Sequence, residues 1–134
     1  MRISYKIWLD HRGRAFGYGP ARLLDGVEQF GSLRKAAQEL GMSYNKAWRI
    51  LHAAEQRLGF QLLERTVGGS LGGGSQLTPE AKDLMRRYRA MAADAARTLD
   101  DVFDMHFNDW VHPGPAYTED EPLPDLPAEP DDEE

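Results

Sequence analysis

The sequence has no cysteine, which removes disulfides, thiolate zinc sites and cysteine nucleophiles at once. It has no apolar run of membrane-spanning length, and its opening residues, MRISYKIWLD, lack the apolar core of a secretory signal. A cytoplasmic protein with no membrane partner is the expectation. Cations are missing from the far end: all sixteen Lys and Arg precede Val111, whereas nine of the 22 Asp and Glu follow Trp110. The formal net charge of −6 therefore hides a division. Residues 1–110 hold sixteen cations against thirteen acids, a net of +3, and residues 1–99 hold sixteen against nine, a net of +7. The reading is a basic domain able to meet a phosphate backbone, followed by an acidic stretch. At 134 residues and 41% hydrophobic content, the length suits one domain with a real core.

What is present is organised around Gly31 to Gly59, GSLRKAAQELGMSYNKAWRILHAAEQRLG. Ser32 is an N-cap residue, and Ala36, Ala37 and Leu40 follow at helical spacing. Gly41 stands where a helix ends on a left-handed residue, and Ser43 caps a second helix two residues later. In that helix Ala47, Trp48, Leu51, Ala54 and Leu58 are read as one inward face. Tyr44, Asn45, Lys46, Arg49 and His52 lie elsewhere on the cylinder. Small alanines and a short glycine turn predict a close, steep crossing, which is a helix-turn-helix. Its second helix can enter the major groove of DNA. The alternative is an ordinary helical hairpin with a solvated polar face.

Upstream, Ile3, Tyr5, Ile7 and Leu9 alternate with polar positions, and Asp10-His11-Arg12-Gly13 is a turn signal before a strand at Arg14 to Tyr18. This predicts a hairpin, with the place of Trp8 open between packing and exposure. Ala21 to Phe30 is a first helix with Leu23, Leu24, Val27 and Phe30 as its buried stripe. Downstream, Phe60 to Val67 and Gln76-Leu77-Thr78 are strands flanking a glycine-rich tip, the pattern of a wing. Thr78-Pro79-Glu80 starts a helix that runs from Pro79 to about Phe107. Its stripe of Leu84, Tyr88, Met91, Ala95, Leu99 and Val102 calls for a partner surface. That partner is the same helix of a second subunit, giving a two-fold dimer, or else the helix folds back on its own domain. Lys82, Arg86, Arg87 and Arg89 on its early turns either reach DNA or merely solvate it. From Val111 on, the chain is Pro-rich and acidic and reads as a disordered tail.

Other chemistries find little support. The glycine-rich stretch lacks the Gly-Lys-Ser/Thr ending of a phosphate-binding loop. Asp101, Asp104, His106, Asp109 and His112 cluster without a metal-ligand spacing. No nucleophile and base fall into a catalytic setting, so neither an enzyme nor a cofactor or metal is expected.

Together, Gly31-Ser32-Leu33, Ala36-Ala37, Gly41-Met42-Ser43-Tyr44-Asn45-Lys46-Ala47-Trp48, Leu63-Glu64-Arg65 and the segment from Gly68 to Thr78 resemble the N-terminal DNA-binding domain of the molybdate-responsive ModE regulators. They are similar, more distantly, to the winged helix-turn-helix of LysR-type regulators. The resemblance covers roughly Ser4 to Met105. It implies a mainly α fold with small β elements: a winged helix-turn-helix with an N-terminal β-hairpin and a long C-terminal dimerisation helix. It also implies a homodimeric transcription factor whose recognition helix starts at Ser43. By the family pattern Ser43, Tyr44, Asn45, Lys46 and Arg49 match the DNA-facing side, and Trp48 matches a core position. Full-length ModE members carry oxyanion-binding domains after the long helix, where this sequence has only the acidic stretch. Molybdate binding is therefore not carried over, no small-molecule effector is identifiable, and a stand-alone relative is the expectation.

On this reading residues 1–110 form the DNA-binding domain with its dimerisation helix, and residues 111–134 form the tail. Double-stranded DNA is the partner, with Asn45, Lys46 and Arg49 on base edges and Arg34, Lys35, Arg65 and Ser75 on phosphates. The rival is a winged-helix module that binds proteins and reads no DNA.

Overall fold

The computed structural model describes residues 1–66 and 74–111. Residues 67–73, which hold most of the glycine-rich tip expected to be flexible, and the acidic stretch beyond Val111, expected to be disordered, lie outside the described residues. In chain order the elements are β1 (Leu9–Asp10), β2 (Arg14–Phe16), α1 (Tyr18–Phe30), α2 (Leu33–Glu39), α3 (Tyr44–Leu58), β3 (Leu63–Arg65), β4 (Ser75–Leu77) and α4 (Pro79–Phe107). The fold is mainly helical, with two separate two-stranded antiparallel sheets, as the sequence leads one to expect.

The N-terminal strand is far shorter than its alternation predicts. Leu9 already opposes Phe16, and Asp10 opposes Arg14. Residues before Leu9 would have to pair beyond Phe16, where the chain turns into α1 at Tyr18. With no ladder partner there, the alternation cannot become a strand. Trp8, whose place the sequence leaves open, packs. Its ring lies against Gly17, where any Cβ would overlap it, and the Arg14 guanidinium sits 4.8 Å from the ring centroid.

Each helix of the three-helix unit starts or stops on a local signal. Ser32 Oγ accepts from the Lys35 amide at 3.1 Å, and Ser43 Oγ accepts from the Lys46 amide at 3.1 Å. Between them Gly41 turns the chain at φ +70°, in the left-handed region open to a residue without a Cβ. Leu23, Leu24 and Val27 of α1 are buried as expected, while Phe30 is only partly so. Gly26 is buried instead, and a Cβ added there would come within 2.7 Å of the Ala36 Cβ. Helices α1 and α2 thus cross nearly backbone to backbone.

Strands β3 and β4 pair Leu63 with Leu77 and Arg65 with Ser75. Their base is fastened to the helical unit, because the Ser75 amide donates to the Gly31 carbonyl at 2.9 Å. Thr78 fastens it again. Its hydroxyl donates to the Gln61 carbonyl at 2.7 Å and accepts from the Ala81 amide at 3.1 Å, capping α4. The core formed between these layers contains Phe16, Leu23, Leu24, Leu62, Leu77 and Met85, all fully buried.

Helix α4 has the predicted ends but a different inner face. Ala81, Met85 and Tyr88 turn inward. Tyr88, expected on the dimer stripe, is 9% exposed. Its ring meets Phe16 edge-on at 5.2 Å, and its hydroxyl donates to the Ile7 carbonyl at 3.1 Å. Burial pushes this phenol above its ordinary pKa. The physical reason is rotational: residues 81, 85 and 88 form one stripe, and residues 84, 91 and 95 the stripe beside it. Leu84 and Met91 lie at the margin, partly buried against the core. Ala95 and Leu99 are partly exposed and Val102 is exposed. No helix among the described residues is long and apolar enough to cross a membrane.

Candidate nucleic-acid interface

Helix α3 presents two distinct surfaces. Ala47, Leu51 and Ala54 are buried and hold it against α1, α2 and β2. Ser43, Asn45, Lys46 and Arg49 are exposed. Among the described residues, the side chains of Asn45, Lys46 and Arg49 make no hydrogen bond or ion pair. The N-terminal end of the helix is also the positive end of its dipole, and the Ser43 cap fixes its direction.

Trp48 overturns an expectation. The reading of it as a core residue is wrong: it is 48% exposed, and its indole stacks on the His52 imidazole at 4.5 Å with 13° between planes. At about 100° per residue, Trp48 lies a quarter turn from Ala47, at the flank of the buried arc and not within it. It belongs to a different row, Tyr44, Trp48 and His52, spaced four residues apart. That spacing is legible in the sequence, and it outweighs the neighbour relation to Ala47.

This aromatic row borders a groove of about 610 Å³ between α2, α3 and the wing. Ser32 at the N-cap of α2, Arg34 from α2, Tyr44 and Trp48 from α3, and Arg65 and Ser75 from the wing all line it. The Arg34 guanidinium lies 4.5 Å from the Tyr44 ring centroid, a cation–π contact that steadies both side chains. Four of the predicted contact residues, Arg34, Tyr44, Arg65 and Ser75, are therefore brought together here. Asn45, Lys46 and Arg49 lie on the adjoining face of α3. Lys35 is set apart, with its ammonium 5.8 Å from the Phe30 ring centroid.

Two acids also line the groove, Glu55 and Glu64, and sequence reasoning missed both. Each has a partner. Glu55 accepts from the Leu62 amide at 2.8 Å, and Glu64 accepts from Gln76 Nε2 at 3.0 Å. Glu55 thereby ties α3 to the chain entering β3, and Glu64 ties β3 to β4 within the wing.

Three of the cations on the early turns of α4, Arg86, Arg87 and Arg89, are committed elsewhere. Arg87 and Arg86 both bond Asp83, at 2.9 and 2.5 Å, and hold its carboxyl below the ordinary carboxylate range. Arg89 bonds Asp25 of α1, which raises the guanidinium pKa further. Solvation and intramolecular pairing, not a free basic ridge, is their observed state. At the far end of α4, Asp101, Asp104, His106 and Asp109 are all exposed. No metal-holding group occurs among the described residues, and His112 lies outside them.

Residues 21–82 match the sequence model of the family described as bacterial regulatory helix-turn-helix protein, lysR family. The molybdenum transport protein ModE of Herbaspirillum seropedicae is 41% identical over 69 residues, covering 52% of this chain and 26% of that protein. The molybdenum-pterin-binding protein MopB of Rhodobacter capsulatus is 33% identical over 98 residues, 73% of this chain and 36% of that protein. The DNA-binding transcriptional dual regulator ModE of Escherichia coli K12 is 32% identical over 104 residues, 78% and 37%. The chain spans between about a quarter and two fifths of these relatives. Among solved structures, the crystal structure of the CbnR DBD–DNA complex superposes with a TM-score of 0.51 at 26% identity, over 64% of this chain and 93% of that one. The BenM DBD/benA site 1 DNA complex superposes at 0.50 and 22% identity, over 66% and 93%, and shows the fold alone.

Proposed function

We propose that this chain, whose residues 21–82 are a ModE-like helix-turn-helix domain of the LysR type, is a DNA-binding transcriptional regulator that acts as a homodimer in the cytoplasm. The observation that carries the reading is the outer face of α3. Three side chains suited to base edges, Asn45, Lys46 and Arg49, stand exposed on a capped helix whose opposite face is locked into the core. Arg and Lys suit the guanine major-groove edge, and Asn suits adenine. Arg34, Lys35, Arg65 and Ser75 fix register on phosphates, which carries no sequence information by itself. The structural neighbour at 26% identity was solved as a complex with DNA, which supports the same assignment.

Pairing of two chains through α4 places two α3 helices on one duplex, with half-sites about 34 Å apart or a multiple of that. The incompletely buried Leu84, Met91, Ala95, Leu99 and Val102 support this surface. Tyr88, being committed to its own core, is not part of it. Residues 1–110 act as the binding unit and residues 111–134 as an acidic solubilising appendage.

The test is selection of duplexes from a random pool by the purified chain. Enrichment of a near-palindrome is the expected result. No enrichment at low salt overturns the reading in favour of a protein-interaction module.

A further inference from the structure

Trp48 is a large apolar side chain that the core does not use. Helix α3 is seated by Ala47, Leu51 and Ala54, and half of the indole faces water. The ring is nonetheless held in place. His52 stacks on one of its faces, and one turn earlier Tyr44 is steadied by Arg34. The result is a fixed apolar plate between the polar row Asn45–Arg49 and the groove.

Charge says what lies against that plate. Arg34 and Arg65 flank the groove, while its carboxylates Glu55 and Glu64 are already bonded within the fold. A polyanion whose phosphates meet Arg34 and Arg65 can lie across the groove mouth, with both carboxylates still anionic but held in fixed positions by neutral amide donors. An indole offers a polyanion one N–H donor and a broad apolar face. The one apolar feature that duplex DNA displays in its major groove is the 5-methyl group of thymine.

We infer that Trp48 is a specificity-determining residue whose indole receives the methyl group of one thymine in each half-site, on the wing side of the Asn45–Arg49 row. This rests on the DNA-binding reading of α3. It adds a contact that reads an apolar group, beside side chains that read hydrogen-bonding edges.

The experiment is a fluorescence-anisotropy titration of the full chain with the selected duplex, in which each thymine is replaced in turn by deoxyuridine. This exchange removes the methyl group alone. For the wild-type chain one replacement per half-site is expected to weaken binding about three- to fivefold, the weight of one buried methyl group. Trp48→Ala is expected to bind the thymine and uracil duplexes equally, and Trp48→Phe to retain part of the preference. Circular dichroism of Trp48→Ala should match the wild type, since the ring is not in the core. Three results overturn the inference: a selected site without thymine in its half-sites, a wild-type chain indifferent to every replacement, or a Trp48→Ala chain that keeps the full preference. If the wild-type chain binds and is sensitive to Arg49→Ala but ignores the methyl group, the Trp48 assignment falls and the DNA-binding reading stands. If it binds no duplex, both fall.

Discussion

The two halves of α4 carry one continuous periodic pattern and meet different fates. The first half sends Ala81, Met85 and Tyr88 into the core, with Met85 fully buried. The second half leaves Val102, Met105 and Phe107 at 43%, 78% and 42% exposure, with Phe107 stacked on Phe103 at 5.1 Å along its own helix. The contrast teaches that an apolar stripe specifies burial without specifying against what. Where α4 runs beside α1, β2 and the wing base, the domain covers it. Where it runs past them, the same pattern is left for a second copy of the chain in the proposed dimer.

Substitutions sharpen this contrast. The largest effect is expected at Met85→Ala, which opens a cavity under the first half and should cost about 2–5 kcal/mol in chemical denaturation. Tyr88→Phe should cost about 0.5–1.5 kcal/mol by the same measurement, because one hydrogen bond to the Ile7 carbonyl is lost. Tyr88 also predicts a pH dependence. Its folded pKa is raised, so the fold favours the neutral phenol. Its contribution is fully present below the unfolded value of about 10 and is lost as pH rises through the folded value. Unfolding midpoints should therefore fall above about pH 10, and less in Tyr88→Phe. Smallest in stability terms is Leu99→Asp in the second half, expected within about 0.5 kcal/mol for the folded monomer. In sedimentation it should shift the chain from dimer to monomer. A Leu99→Asp chain that unfolds like Met85→Ala would break the comparison, because it would mean that the second half is core after all.

Much of the fold is legible where the determinants are local. The caps at Ser32, Ser43 and Thr78 and the span of α4 follow from residues within one turn of each boundary. Long-range choices are less legible. The alternation from Ile3 cannot reveal that β2 stops at Phe16 and leaves it nothing to pair with. The stripe on α4 cannot reveal that the domain takes the row at Ala81, Met85 and Tyr88 over its neighbour. On α3, Trp48 reads as inward because its spacing groups it with Ala47 and Leu51 and the family pattern puts it in the core, although about 100° separates it from Ala47 and small alanines already fill the inner arc. The polar contact residues fare better in one respect, since exposure of Asn45, Lys46 and Arg49 follows from the opposite face being apolar. That Glu55 and Glu64 share the groove depends on how the wing folds back, which no local pattern encodes.

The central claim is that the outer face of α3 reads base edges while cations around it hold phosphates. The direct measurement is an anisotropy titration of wild type, Arg49→Ala and Lys35→Ala against the selected duplex, its single-base variants and an unrelated duplex, at two salt concentrations. Arg49→Ala should lose about 1–3 kcal/mol on the selected duplex, relax one base position and leave the unrelated duplex nearly unchanged. Lys35→Ala should weaken all duplexes about equally and flatten the salt dependence. An Arg49→Ala chain with wild-type affinity and wild-type base preference would contradict the account.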